Sequence, residues 1–313
     1  INIPTFNRPQ SIKKLINTHR NLFKLYDIDI NIFDNSSNED TKKIFNEFKD
    51  QIKINYINNN IYLHADENFY QSYMYEHNKE YVLLLGDTYR INDKFFPKLI
   101  DKINERKYEI IIFNHAFIGE NMDNEISDRN ELFEKLCSIS TCMSTLVFHK
   151  SVLLNKDYKK YLNTNFIHSG ILFEYIYNNN FKAYYFGNYS LERNYNQNKL
   201  FEKMNWSYTD KVFDIAIINW QKFMNLLPND CPIALKKTVF LKFYKDLKIF
   251  NFKRLIYLRS IGVLNRNFLL KYKFNFDNFD YNLKNYYLKL FLFTFIPKSI
   301  CNLLVKSFAI FYK

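Results

Sequence analysis

The stretch Tyr81-Val-Leu-Leu-Leu-Gly86-Asp87-Thr88-Tyr89-Arg90-Ile91 decides how the rest of the chain is read. A short apolar run closed by Gly and Asp has the form of a buried strand in a parallel sheet. Ligands of open α/β sheets bind just beyond the carboxyl ends of the strands, so Asp87 stands where chemistry is expected. The same pair is also what starts an ordinary turn. Glycine is scarce here, 5 in 313 residues, and that gives a glycine at a strand end added weight.

Outward from this stretch, strands and helices alternate. Residues 1–9 read as a strand running into a Pro/Asn turn, and Ile12, Leu15, Ile16 and Leu22 mark one face of a helix. A strand over 28–33 stops at Asp34-Asn-Ser-Ser37, and Glu39 or Asp40 is expected to cap a helix with Ile44, Phe45 and Phe48 inward. A third strand covers 52–57, and a helix over 68–78 leads into the Tyr81 strand. This alternation implies βαβ units and a mainly parallel sheet.

Beyond it, a helix carrying Phe95, Leu99 and Ile103 precedes a strand over 108–114. The polar stretch 119–130 is expected to be a loop, mobile or ordered on binding. A helix from Glu131, strands at 144–149 and 183–186, a helix from Phe166 and a polar loop over 188–205 complete the pattern. The α/β domain is therefore expected over 1–211. A basic region over 212–313 reads as helices broken at Pro228, Pro232 and Pro297.

Aromatic residues make up 19 %, with 32 Phe and 25 Tyr, which fits AT-rich coding and not low complexity, because the apolar periodicity survives. The 4 cysteines, Cys137, Cys142, Cys231 and Cys301, form no CxxC pair, so neither a zinc site nor a disulfide framework is supported. That pattern suits a reducing cytoplasm. No signal peptide and no uncharged apolar run of about 18 residues is seen, so no transmembrane helix is expected. Ile1 falls inside a strand with no Met before it, and native residues are expected upstream.

The net charge of +12 is uneven: residues 231–313 hold 16 Lys/Arg against 3 Asp/Glu. Such an excess points to a polyanion, either nucleic acid or an anionic membrane. Over 286–313, Leu, Phe and Ile are interspersed with Lys289, Lys298, Lys306 and Lys313. This suits helices lying in a bilayer interface, and equally a helical layer with solvated lysines.

Three motifs resemble the family 2 glycosyltransferases with a GT-A fold. Ile3-Pro-Thr-Phe-Asn-Arg-Pro9 is similar to that family's first strand and turn. Phe33-Asp34-Asn35-Ser36-Ser37 is similar to its second strand end, and Tyr81 to Tyr89 to its acidic element. Cys142 to Ser151 and Phe166-Ile-His-Ser169 resemble an abequosyltransferase-like branch that builds O-antigens and capsules. The resemblance implies a nucleotide-sugar donor bound by Pro4, Thr5, Asn7, Arg8, Asp34, Asn35 and Asp87. It also implies an inverting transfer to a lipid-linked or surface-polysaccharide acceptor; the basic tail is expected to hold the enzyme at the cytoplasmic face of the inner membrane, where such acceptors are anchored.

The family's metal chemistry implies Mn²⁺ or Mg²⁺ held by Asp87, to offset charge on the departing diphosphate. The usual metal-binding carboxylate, however, falls on Thr88. Three readings stay open: a metal on Asp87 and the diphosphate, a metal-free enzyme using arginine or lysine (Arg90 and Arg193 are candidates), or a non-catalytic nucleotide-binding partner of another transferase. A general base is also needed. The candidates are His168, Asp128 and Glu174, with His115 and His149 read as core histidines and Trp206 as either a sugar platform or a buried ring. No helix-turn-helix, zinc finger or RNP motif supports a nucleic-acid binder.

Overall fold

The computed structural model describes residues 1–59, 61–75, 78–116, 118–154, 157–194, 206–277 and 283–310. By its internal contacts the chain forms two compact units, Ile1–Asn196 with Leu226–Cys231, and Gln197–Asn225 with Pro232–Lys313.

The first unit is built on parallel strands. β1 (Asn2–Thr5) is buried at every position. α1 (Pro9–Leu25) turns Ile12, Leu15, Ile16 and Phe23 inward. β2 (Ile30–Asp34) is also buried throughout, α2 (Asp40–Phe48) buries Ile44 and Phe48, and β3 (Ile54–Asn58) ends the row. Continuous burial is what a strand covered on both faces requires. The register aligns Thr5 with Asp34 and Asp34 with Asn58, so the three strands finish level.

α3 (Ala65–Met74) leads to β4 (Tyr81–Leu83). Leu84 bridges Asn2 in parallel, and the Leu85 N–H donates to the Asn2 carbonyl at 2.9 Å, which joins β4 to β1. Then come β5 (Tyr89–Arg90), α4 (Phe96–Asn104), β6 (Ile110–Asn114), β7 (Asn124–Ile126) and α5 (Arg129–Ser140). β8 (Leu146–His149), α6 (Lys150–Leu153), α7 (Ile167–Asn178), β9 (Ala183–Ser190) and β10 (Glu192–Arg193) complete the unit. The second sheet has the order β4-β8-β6-β9-β7, with β8 and β7 antiparallel to their neighbours. β5 and β10 form a separate antiparallel ribbon.

Several expectations are corrected. Residues 119–130 are no open loop, because β7 adds an edge strand to β9 and Asp128 caps α5. α3 begins at Ala65, earlier than expected, because His64 acts as its N-cap: the ring accepts the Asp66 N–H and Glu67 accepts the His64 N–H. α2 begins at Asp40 without a side-chain cap, since Glu39 pairs with Lys42 and Asp40 with Lys43. Of the polar stretch 188–205, residues 188–190 and 192–193 are strand, and 195–205 lie outside the described residues.

The second unit is helical. α8 (Lys211–Phe213) continues through a π-helical stretch, Asp214–Asn219, into α9 (Trp220–Leu226). α10 (Ile233–Asp246), α11 (Phe252–Ser260), α12 (Arg266–Asp277), α13 (Lys284–Phe293) and α14 (Lys298–Ile310) follow. Trp220 centres its core, stacked 4.1 Å from Phe243 and donating Nε1–H to the Phe240 carbonyl at 3.3 Å. Among the described residues no single helix is long and apolar enough to cross a membrane. α13 and the Lys298–Ser307 part of α14 pass together by length and composition, with a 94° bend between them.

Candidate active site

Thr5 closes β1, Asp34 closes β2 and Asp87 follows β4, so the level strand ends gather these polar groups on one edge. Asp87 is 2 % exposed, and both its carboxylate oxygens are engaged. Thr5 Oγ1 donates to Oδ2 at 2.8 Å, and Arg8 Nη1 donates to Oδ1 at 2.9 Å. Burial pushes this carboxyl above its ordinary value, against the opposing pull of Arg8 and Thr5. Asn194 ties the backbone here: its Nδ2 donates to the carbonyls of Asp87 and Ser11, each at 3.0 Å, and its N–H to that of Thr88.

Gly86 donates its N–H to Ser144 Oγ at 2.8 Å. A Cβ at Gly86 would lie 3.0 Å from Met143 Cε and 3.3 Å from Ser144 Oγ, so close approach of two segments accounts for the glycine.

Asp34 and Asn35 act through loop geometry. Asp34 accepts the Ser36 N–H at 3.0 Å and the Tyr56 hydroxyl at 2.8 Å. Asn35 pairs with the Leu63 backbone in both directions, at 2.7 and 2.8 Å. These bonds fix the segment that sets Tyr62 edge-on to Phe6, ring centroids 5.4 Å apart. Both rings are exposed, Phe6 by 45 % and Tyr62 by 71 %. Asn7, at φ 53°, donates its N–H to Ser36 Oγ, which lets the chain turn from β1 into α1. Pro4 lies buried within β1.

The base candidates separate. Asp128 and Thr141 flank opposite ends of α5, roughly 20 Å apart at 1.5 Å per residue. Asp128 uses its carboxylate to accept the Glu131 N–H as the helix cap. Glu174 accepts from the Tyr161 hydroxyl at 2.7 Å and pairs with Lys160. Six residues from His168, it lies on a different face of α7. His168 is 2 % exposed, its Nε2 lies 2.9 Å from the Thr141 carbonyl, and burial lowers its pKa to about 4. The carbonyl partner requires the proton on Nε2, leaving a lone pair on Nδ1 with no partner among the described residues. Of the three, His168 bonds to Thr141, two residues before Met143, whose Cε a Cβ at Gly86 would approach.

Other side chains at this edge carry no signal in sequence. Tyr89 and His115 meet edge-on with ring centroids 5.6 Å apart, and Cys142 lies beside both. Burial raises the Cys142 thiol, but His115, the Ser144 backbone and Tyr89 together outweigh it and the net shift is downward. His115 is half-buried as a residue, with its Nδ1 buried, and its ring lies beside the Cys142 thiol. His149 instead caps α6, accepting the Ser151 N–H. Arg90 pairs with Glu192 at 2.6 Å.

The divalent cation that the resemblance implies does not fit this donor set. Both Asp87 oxygens already have partners, and among the described residues no cluster of three His, Cys, Asp or Glu side chains suits a metal.

A family model, Glycosyl transferase family 2, matches residues 1–173, more than half of the 313. The chain belongs to this family. Its members are glycosyltransferases, and the strand-end edge lies in the matched part. No curated protein matches the sequence at a meaningful level. Among solved structures the fold is similar to that of S. aureus TarS 1–349, at TM-score 0.57 and 12 % identity over 92 % of this chain and 86 % of that one. The same TarS fragment in complex with UDP-GlcNAc aligns with TM-score 0.57 and 11 % identity, covering 98 % of this chain and 90 % of that one. Its complex with UDP gives 0.57 and 11 %, over 91 % and 88 %. The family 2 chain therefore has a GT-A fold.

Proposed function

We propose that this family 2 glycosyltransferase transfers a sugar from a uridine diphosphate sugar to a hydroxyl of a lipid-linked or surface-polysaccharide acceptor, with inversion. One observation carries the reading: Thr5, the Asp34–Asn35 pair and Asp87 converge at level ends of neighbouring parallel strands, inside the family match. The TarS complexes with UDP and UDP-GlcNAc support the choice of nucleotide.

In this reading the Phe6–Tyr62 pair takes the base on its exposed ring faces, and the loop braced by Asn35 takes the ribose. The diphosphate lies over the Thr5–Arg8 turn, near the start of α1, where helix N–H groups favour anions. His168 Nδ1 receives the acceptor proton. With a pKa of about 4 it stays unprotonated at neutral pH, as a catalytic carboxylate would. Cys142 to Ser151 and Phe166 to Ser169 support a place in the O-antigen and capsule branch. The basic helices would hold the enzyme on the cytoplasmic leaflet.

Calorimetric titration of UDP, GDP, CDP and dTDP tests the donor site. UDP should bind most tightly, and no affinity for any of the four would remove the reading.

A further inference from the structure

Arg8 is the N-cap residue of α1 yet makes no capping bond through its side chain. That side chain instead reaches the strand end of β4, where Nη1 meets Asp87 Oδ1 at 2.9 Å. Its side chain is 32 % exposed while that of Asp87 is 3 % exposed, so the arginine is the more accessible partner of the pair. Arg8 Nε is buried with no hydrogen-bond partner among the described residues. A guanidinium has five N–H donors in a fixed fork, and a single Nη1 contact leaves several for a ligand.

The carboxylate itself is poorly disposed to hold a cation. Thr5 occupies one oxygen and Arg8 the other. Thr88 follows, where a second carboxylate would be needed, and its backbone carbonyl accepts from Asn194. A divalent ion would have to displace Arg8 from a carboxylate that is itself buried, and loss of the arginine would leave that charge without its counterion.

We propose that Arg8 supplies the positive charge on the diphosphate, and that Asp87 is the positioning residue that holds Arg8 there, so that transfer proceeds without a divalent cation. The inference rests on the nucleotide-sugar reading above. When the bond from the anomeric carbon to the β-phosphate oxygen breaks, its electron pair stays on that oxygen. The acceptor oxygen forms the new bond to carbon and gives its proton to the base. Arg8 loses no proton; its N–H groups donate to the oxygen on which charge rises. Planar forked donors match phosphate oxygens.

The test is titration of uridine diphosphate into the whole chain in EDTA, repeated with excess Mn²⁺. Affinity should agree to about twofold between the two buffers, and Arg8→Ala should weaken it by about tenfold or more in both, as expected for loss of hydrogen bonds to a charged group. Asp87→Asn keeps an oxygen for Arg8 but is a poor ligand for a hard cation. Both Asp87→Asn and Asp87→Ala should weaken metal-free binding, Asp87→Ala the more, because the amide oxygen of Asn still accepts from Arg8. Turnover in EDTA should equal turnover in Mn²⁺. If uridine diphosphate binds only with Mn²⁺, or Asp87→Asn abolishes a Mn²⁺ enhancement exceeding about tenfold, the inference fails while the donor site stands. Binding in neither buffer would overturn both. The two-buffer comparison needs no variant, so misfolding of Arg8→Ala leaves it decisive.

Discussion

Arg8 Nη1 lies 2.9 Å from Asp87 Oδ1, joining the turn after β1 to the end of β4 across 79 positions of chain. Each partner explains the other: an arginine fixed by a buried carboxylate, and a carboxylate whose burial is tolerated because arginine and threonine engage it. Geometry of this kind bears on stability as well as on binding.

Burial raises the Asp87 carboxyl above its ordinary value, so the folded state binds a proton more readily there than the unfolded chain does. A raised carboxyl costs stability at neutral pH, and the cost fades as pH falls through the folded value. Asp87→Asn should therefore melt at or above the wild-type temperature at pH 7. The difference should shrink at pH 4, and thermal unfolding at both pH values checks it.

His168 titrates in the other direction. Its folded pKa of about 4 lies below the ordinary 6.5, so its contribution to stability is complete above about pH 6.5 and is lost as pH falls toward 4. His168→Gln keeps a donor for the Thr141 carbonyl but has no basic nitrogen. A fold stable to within about 1 kcal/mol is expected, with turnover down by about a hundredfold or more. A variant with ordinary turnover would make His168 purely structural.

Cys142 is the one half-buried cysteine, since Cys137, Cys231 and Cys301 are buried. With its thiol shifted downward beside His115, it should react first with iodoacetamide. Peptide mapping after brief alkylation identifies the site. Because Met143 and Ser144 adjoin Gly86, bound UDP should slow the reaction.

The helices α13 and α14 expose Leu288, Leu292, Ile300 and Leu303, and Phe295 is exposed between them; Lys284, Lys298 and Arg266 are nearby in the chain or in space. Apolar residues rimmed by cations favour an anionic bilayer surface. Flotation with anionic liposomes should fall when residues 286–313 are deleted, and also on Leu292→Asp with Leu303→Asp. Flotation that survives both changes would count against a membrane role.

The sequence by itself determined the alternation of β1 to β4 with their helices, because apolar period and turn residues are local properties. It likewise determined that Gly86–Asp87 closes a strand. The 119–130 stretch escaped this reading: an edge strand as short as Asn124–Ile126 has too few residues to show a period and exists only because β9 offers it a partner. His64 as a helix cap was hidden because capping is usually read from Ser, Thr, Asp or Asn. At the site, Asp87 was legible from its place after a strand. That Arg8 and Thr5 occupy its oxygens, that the buried His168 has one unengaged nitrogen among the described residues, and that Cys142 meets His115 were decided only by the tertiary structure. Those pairings join residues far apart in the chain, and the hydrogen-bond partner of a side chain depends on which strand ends lie level in space.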